Sequence, residues 1–493
     1  MAKGSLSVFF SMIIAMVMTL ILTMAECVRL YELHSFSQEY TDMAVESAFS
    51  EYNPYLWSNY KILAIDLGYG TESIGSGILE SKTVDYCKYN ASIDGGFNYA
   101  RLSPQGCNAK YALLTDNQGQ GVVILGEKAA MDGMASQVID GIKGQIDAMN
   151  NIEKVEVEKK ADTGKSTLEK AKKDQEDKKH KAATDNNPET NPADYEEPGS
   201  VEDNPLDAFS RIRESFSRGI LGTVTKEDGI SDASVELGTL PSHRTLKQGT
   251  LSVSGGGDVV EKALFIDYLM TNYSYYCKDL KHDGLKYELE YIIAGKESDV
   301  QSLATVVEEI LLLREAANFT TIMKNEAMKA EAMAIAEVLA GFTMNPAIVE
   351  AIKYAIIAAW AYVESTLDIR LLLSGGKVPL IKNLDQWTSD VWHLSSVGDV
   401  NFKAKDSKTG VSYKQYLMSF LALNTNETLA IRACDVMEDA LMQTEDYKNV
   451  RMDNMAFAAD FSIDYSGEEM FLSMLTPQEE SGYYFTKRKC ISY

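Results

Sequence analysis

The sequence predicts an α+β protein: an N-terminal transmembrane helix continuing into a stalk helix, a mixed strand-rich region, a disordered insert and a mainly helical C-terminal region. Three observations predict it. A run of twenty uncharged, mostly apolar residues lies near the start. Short apolar runs among Gly, Tyr, Ser and Asn follow. Beyond a highly charged stretch, apolar residues recur at three- and four-residue steps. The chain has 493 residues, of which 45% are hydrophobic, and a net charge of −25. That hydrophobic share belongs to a folded protein. The acidic excess argues against nucleic acid as a partner, because phosphate binding requires clustered Lys and Arg. Six cysteines over this length are too few for a disulfide-built scaffold.

Residues 1–5 form a short stub ahead of the apolar run. From Leu6 to Ala25 the only polar side chains are Ser7, Ser11, Thr19 and Thr23. Twenty helical residues span about 30 Å, the thickness of a bilayer's hydrocarbon. A cleaved signal peptide competes, with Lys3 as its basic region and Thr23-Met24-Ala25 as its cut. Signal cores run to about 7–15 residues, shorter than this one, so a retained anchor is preferred. Lys3 precedes the run, whereas Glu26, Glu32, Glu39 and Asp42 outnumber Arg29 after it. The positive-inside rule then keeps the N-terminus cytoplasmic and exports the remainder.

Residues 26–58 continue as a stalk helix. Val28, Leu30, Leu33, Phe36, Met43, Ala44, Val45, Ala48 and Phe49 form its apolar stripe, and Asn53-Pro54 ends it. Residues 59–150 read as strand-rich, with Ile62–Ile65 and Val122–Leu125 as candidate strands. Cys87 and Cys107, twenty residues apart, form a candidate disulfide. Such a bridge would stabilise by about 3 kcal/mol in an oxidising compartment. Residues 151–206 hold 10 Lys, 15 Asp/Glu and four of the ten prolines, a composition that predicts a disordered charged insert. Residues 207–493 read as a mainly helical α+β domain. Its dense helical block runs from Ser298 to Leu373, divided at Met344-Asn345-Pro346, with Tyr354–Val363 as a core helix.

Motifs for chemistry are few. Ile62-Leu63-Ala64-Ile65-Asp66-Leu67-Gly68-Tyr69-Gly70-Thr71 resembles the first phosphate loop of actin and sugar-kinase folds. The second Asp-Gly loop and the Gly-Gly adenosine turn that such a site requires are missing, so a buried strand entering a Gly-rich turn is preferred. Gly164-Lys165-Ser166-Thr167 mimics a P-loop tail, but Lys159 occupies the position of its first glycine. Ser254–Asp258 reads as a Gly linker with Asp258 as N-cap. The five histidines show no H-E-x-x-H spacing, and there is no G-x-S-x-G elbow. The sequence therefore predicts no catalytic residue, no cofactor site and no metal site.

A family resemblance supplies what motifs do not. Lys3-Gly4-Ser5, the helix opening Ser7-Val8-Phe9, and Glu26 with Arg29 at its far end resemble the N-terminus of pseudopilin-like proteins of Tad/Flp pilus assembly. Tyr287–Lys296, Leu311–Glu315, Asn318-Phe319 and Lys377–Leu380 resemble an uncharacterised family of single-anchor proteins found beside such pilus genes in Gram-positive bacteria. The resemblance implies a possible processing site between Gly4 and Ser5. Where a pilin carries glutamate five positions past that cut, this chain has Phe9. It implies a non-enzymatic, single-pass envelope protein, accessory to pilus assembly. Its partners would be the bilayer through residues 6–25 and other envelope or pilus-assembly proteins through the stalk helix. An anchored extracytoplasmic enzyme and a surface adhesin are the alternatives.

Overall fold

A computed structural model describes residues 2–92, 98–131, 156–184, 196–215, 219–225, 229–253, 259–395, 401–474 and 482–493. The linker expected at Ser254–Asp258 lies outside them. In chain order the main elements are α1 (Ala2–Phe49), α2 (Pro54–Tyr60), β1 (Ile65–Asp66), α3 (Gly77–Ala91), β2 (Leu102–Leu113), α4 (Asp116–Met131), α5 (Val157–Thr184), α6 (Pro205–Ser215) and α7 (Leu221–Val224). They continue as α8 (Val259–Asn272), α9 (Glu288–Ala294), α10 (Asp299–Lys324), α11 (Glu326–Ala340), α12 (Pro346–Leu373), β3 (Lys377–Val378), β4 (Val411–Ser412), α13 (Tyr413–Leu423), α14 (Asn426–Gln443), β5 (Met455–Glu468) and β6 (Gly482–Ser492). The α+β class holds.

The domain boundaries differ from the expected linear order. One unit comprises residues 1–133, 237–261 and 426–493, and the other residues 134–236 and 262–425. The last strands of the chain thus belong with the first helix, not with the helical block that precedes them. Sequence patterns report which residues seek burial but not which distant segment provides it.

In the first unit β5 is the central strand of an antiparallel sheet. β2 pairs along one edge, from Leu102 opposite Gly467 to Leu113 opposite Ala456. β6 pairs along the other edge, from Gly482 opposite Glu468 to Ser492 opposite Ala458, and two-residue β1 completes that edge. The two-residue period of β5 puts Ala459, Phe461, Ile463 and Tyr465 on one buried face. The outer half of α1 and one side of α3 cover that face, contributing Leu33, Ala44, Val45, Ala48, Phe49, Leu79 and Cys87 to a single core.

The rest of this unit departs from the expected strand content. Val122–Leu125 lies within α4, because a four-residue apolar run fits a buried helix as well as a strand. The first turn of α4 is left-handed at Asn117, Gln118 and Gly119, and a Cβ on Gly119 would meet Ala430 of α14 at 2.8 Å. Residues 237–253 form a strap over this side. Arg244 bridges Glu438 and Asp453, the Ser242 amide donates to Asp435, and the Gly249 amide donates to Asp116.

The second unit is helical around α12. Asn345 caps this helix by accepting from the Ala347 amide at 3.0 Å, and Pro346 fits its first turn. The helix is long and apolar enough to cross a membrane by length and composition, yet 61% of its apolar window is buried within the protein. It is the core helix expected at Tyr354–Val363. The helical block divides where expected before Pro346, and also at Asn325, which caps α11.

The insert expected to be disordered contains α5, a 28-residue helix. Val157, Ala161, Gly164 and Leu168 recur at three- and four-residue steps and are buried, with Gly164 packed so closely on Ala355 of α12 that a Cβ would collide. Few large apolar residues are needed where two backbones approach this closely. Composition alone therefore undercounts the burial available to the segment.

Four charged side chains sit fully buried where α10, α12 and the loop after α12 meet. Arg314 donates through Nε and Nη2 to Asp368 Oδ2 at 3.0 and 2.9 Å, and through Nη1 to the Pro379 and Leu380 carbonyls at 2.8 and 2.9 Å. Lys382 pairs with both Glu364 and Asp368. Glu364 also accepts from the Ser389 amide and hydroxyl at 2.8 and 2.7 Å. Two cations and two carboxylates thus balance. Burial opposes ionisation of Asp368, but Arg314 and Lys382 override it and hold its carboxyl below the usual range.

Such a network is costly to open from one side. Lys382→Met removes one cation from a buried set and should destabilise the full chain by about 3–5 kcal/mol. Urea unfolding in detergent measures this, and an unchanged midpoint would contradict it.

Glu290 of α9 is buried among Tyr276, Tyr413 and Asp299. Burial pushes its carboxyl up to about 7, against hydrogen bonds from the Tyr276 amide and the Tyr413 hydroxyl. Its folded pKa therefore exceeds the unfolded value of about 4.3, and the folded state binds the proton more tightly. Stability contributed by this group rises as pH falls from about 7 towards about 4.3. Glu290→Gln should flatten that part of the stability–pH curve, measured by urea midpoints across the interval.

Candidate functional site: the N-terminal helix and its collar

α1 is continuous for 48 residues, but its two halves have opposite surroundings. An 18-residue window of the first half has a mean hydropathy of 2.5, and none of it is buried. Three of its polar side chains bond within the helix: Ser11 donates to the Val8 carbonyl, Thr19 to Ala15 and Thr23 to Thr19, at 2.7–2.8 Å. The helix is suited by length and composition to a bilayer.

Burial begins abruptly at Glu26. The buried positions are Glu26, Arg29, Leu33, Ser37, Thr41, Ala44, Val45, Ala48 and Phe49, spaced as one face of an α-helix. Val28, Phe36 and Met43, expected within the apolar stripe, are exposed instead. The helix is rotated to bury four polar residues, each with a partner. Ser37 donates to the His34 carbonyl, and Thr41 donates to the Ser37 carbonyl while sharing a hydrogen bond with Tyr465 Oη at 3.0 Å. The outer half of the helix, expected to offer its stripe to the rest of the protein or to a neighbour, packs on the sheet of its own unit as far as Phe49 and forms its spine.

Glu26 and Arg29 fasten the near end of the sheet to the helix. Arg29 donates to Glu26 Oε1 at 3.0 Å, to the Glu468 carbonyl at 2.6 Å and to the Ala100 carbonyl at 2.9 Å. Glu26 Oε2 accepts from the Phe471 amide at 2.6 Å and the Met470 amide at 3.3 Å. Burial raises the Glu26 carboxyl, but the Phe471 and Leu472 amides and Arg29 outweigh it and hold it below the usual range. Beside this clasp lies a groove of about 630 Å³ lined by Ala25, Val28, Glu32, Phe36, Tyr99 and Phe471.

The other candidate residues are spread through the structure. Gly4 and Ser5 lie in the first turns of α1. Cys87 and Cys107 are not bridged, and all six cysteines are free. Cys87 Sγ lies instead 3.2 Å from Tyr465 Oη, and burial pushes the two thiols up to about 11 and about 12. Asp66 accepts from the Gly68 and Gly70 amides of its own loop at 2.9 and 2.6 Å. Amides that a phosphate loop would present to a ligand are thereby occupied by the loop's own carboxylate. Gly164–Thr167 lies within α5, with Ser166 and Thr167 bonded to the preceding turn. No group of three potential metal ligands occurs among the described residues.

Residues 194–467, more than half of the chain, match a family of unknown function, DUF5702. The chain belongs to that family. No curated protein and no solved structure matches it. The DUF5702 match begins beyond α1 and takes in α10, α12 and the buried charge network. Arg314, Asn318, Pro379 and Leu380, which lie in segments singled out from sequence, meet in that network. Those segments thus mark a structural centre of this DUF5702 protein.

Arg29→Ala would leave Glu26 buried without its cation and two carbonyls without a donor, at a cost of about 3–5 kcal/mol. Hydrogen exchange should accelerate at the Leu102 and Phe471 amides while the far sheet end near Leu113 stays protected. Because the folded Glu26 pKa is depressed, its stabilisation is present above the unfolded carboxylate range and is lost as pH falls through the folded value. The wild-type chain should therefore lose protection at the same amides in acid.

Proposed function

We propose that this DUF5702 protein is a non-enzymatic, single-pass envelope protein of a Gram-positive bacterium, serving as a pseudopilin-like accessory component of Tad/Flp-type pilus assembly. The observation that carries the reading is α1. One unbroken helix presents an uncovered apolar half followed by a half that forms the spine of an antiparallel sheet unit. A protein that works by lateral helix contacts within or beside a membrane needs such a division. The pseudopilin-like N-terminal residues Lys3-Gly4-Ser5 and Ser7-Val8-Phe9 open the same helix.

The flanking charges favour an N-terminus in the cytoplasm and a folded region outside. The closed Asp66 loop and the mutually paired buried charges of α10 and α12 support a structural role in preference to catalysis. Phe36 and Met43, exposed on α1 beyond Arg29, offer contact positions for envelope or pilus-assembly proteins.

Two measurements in a Gram-positive host test the reading. A membrane-impermeant maleimide should label exposed Cys490 in intact cells; labelling only after lysis would reverse the orientation. A photo-crosslinking residue at position 36 or 43 should yield adducts with pilus-assembly proteins. Adducts confined to unrelated proteins would remove the pilus assignment while leaving the anchor.

A further inference from the structure

The position of the Glu26–Arg29 clasp fixes the depth of the sheet unit. The apolar run ends at Ala25, and Arg29 lies four residues later, about 6 Å along the helix axis. A bilayer's headgroup layer adds about 5–8 Å beyond the hydrocarbon on each side. Hydrogen bonds of 2.6–2.9 Å hold the Ala100 and Glu468 carbonyls and the Phe471 amide at that level. No length of free helix separates the folded unit from the end of the span. Tyr99, Met470 and Phe471 are consequently placed at headgroup depth beside Val28 and Tyr31 of the helix.

The chemistry of these residues suits that depth. Val28, Tyr31 and Tyr99 are 61, 79 and 69% exposed, and the two tyrosines combine an apolar ring with a polar tip. Aromatic residues of this kind collect at membrane–water interfaces. The groove among them is lined mainly by Ala25, Val28, Phe36, Tyr40, Tyr99 and Phe471, and it is continuous with the apolar half of α1. At its base Glu26 and Arg29 are paired and bonded to backbone groups, and the exposed Glu32 also lines it.

We infer that Val28, Tyr31, Tyr99, Met470 and Phe471 form an interfacial collar that seats the sheet unit directly in the phospholipid headgroup layer, with lipid against the near mouth of the adjoining groove at Ala25, Val28, Tyr99 and Phe471. The occupant is the bilayer carrying the anchor, because the collar continues the surface of the span without a break. The inference rests on the anchor reading, and the test separates the two.

The test places nitroxide labels on the full chain in phosphatidylcholine nanodiscs. Met16→Cys, Ile74→Cys, Tyr99→Cys and Phe471→Cys are each made in a chain whose Cys27, Cys107, Cys277 and Cys490 are serine. Collision with oxygen reports lipid, and collision with a nickel chelate reports water. Labels at 99 and 471 should be oxygen-accessible and collide with nickel several-fold less than the label at 74, on a loop bonded to the opposite sheet end. Nickel access at 99 and 471 equal to that at 74, with 16 in lipid, would overturn the collar alone. Protection from both reagents, with spin–spin broadening lost on dilution by unlabelled chain, would assign the groove to a second copy and also overturn it. Nickel access at 16 would remove the anchor and the collar together.

Discussion

The sheet unit depends on one constraint: α1 does not break between its apolar half and its buried half. A helix must satisfy its backbone internally to cross hydrocarbon. The same continuous ladder delivers Glu26, Arg29, Leu33, Ser37, Thr41 and Val45 along one face to the sheet. Burial of that face does not rest on large apolar side chains. Ser37 and Thr41 allow β5 to approach, and the Thr41–Tyr465–Cys87 contacts join helix, strand and α3 at one point. The clasp at Glu26 and Arg29 then determines where along the helix the fold starts.

The second unit is organised by a different constraint. α12 is buried from Ala355 to Leu373, including Glu364, Asp368 and Arg370, so the core must contain ionised groups. The network meets this by balancing two cations against two carboxylates and by directing the spare donors of Arg314 to backbone carbonyls. Replacing one buried ion is therefore more disruptive than replacing an exposed one. Beyond the two-residue strand β3, the loop after α12 is held by these bonds. Its sequence, with Lys377–Leu380 and Lys382, reads as a conspicuous segment because several of its groups have fixed partners.

Local signals were legible where local forces decide. Asn345-Pro346 divides the helical block as expected, because Asn accepts an amide bond and Pro fits the first turn, whereas Asn53-Pro54, read only as a stop, also opens α2. Tyr483-Tyr484-Phe485 lies in a strand, β6, where alternation and aromatic content favour it. The failures share a cause. Val122–Leu125 and residues 157–184 are helical because short runs and small residues take their meaning from what packs on them. Gly164 against Ala355 leaves no trace in average hydrophobicity. The Glu26–Arg29 pair was visible as a motif, and the three- and four-residue spacing through Leu33, Ser37 and Thr41 could have extended it into the true buried face.

The sequence by itself determined the α+β class, the apolar helix near the N-terminus, the core helix at Tyr354–Val363 and the segments that meet around Arg314. Each follows from periodicity, length or residue chemistry within a short window, and short-range forces act within such windows. Tertiary structure decided that residues 426–493 return to the first helix, that α5 folds against α12, that Cys87 bonds to Tyr465 and not to Cys107, and which face of α1 packs on the sheet. Those outcomes depend on pairings between residues hundreds of positions apart, such as Arg29 with Glu468. No local pattern encodes such a pairing, because it is selected by the combined burial and hydrogen bonding of the whole unit.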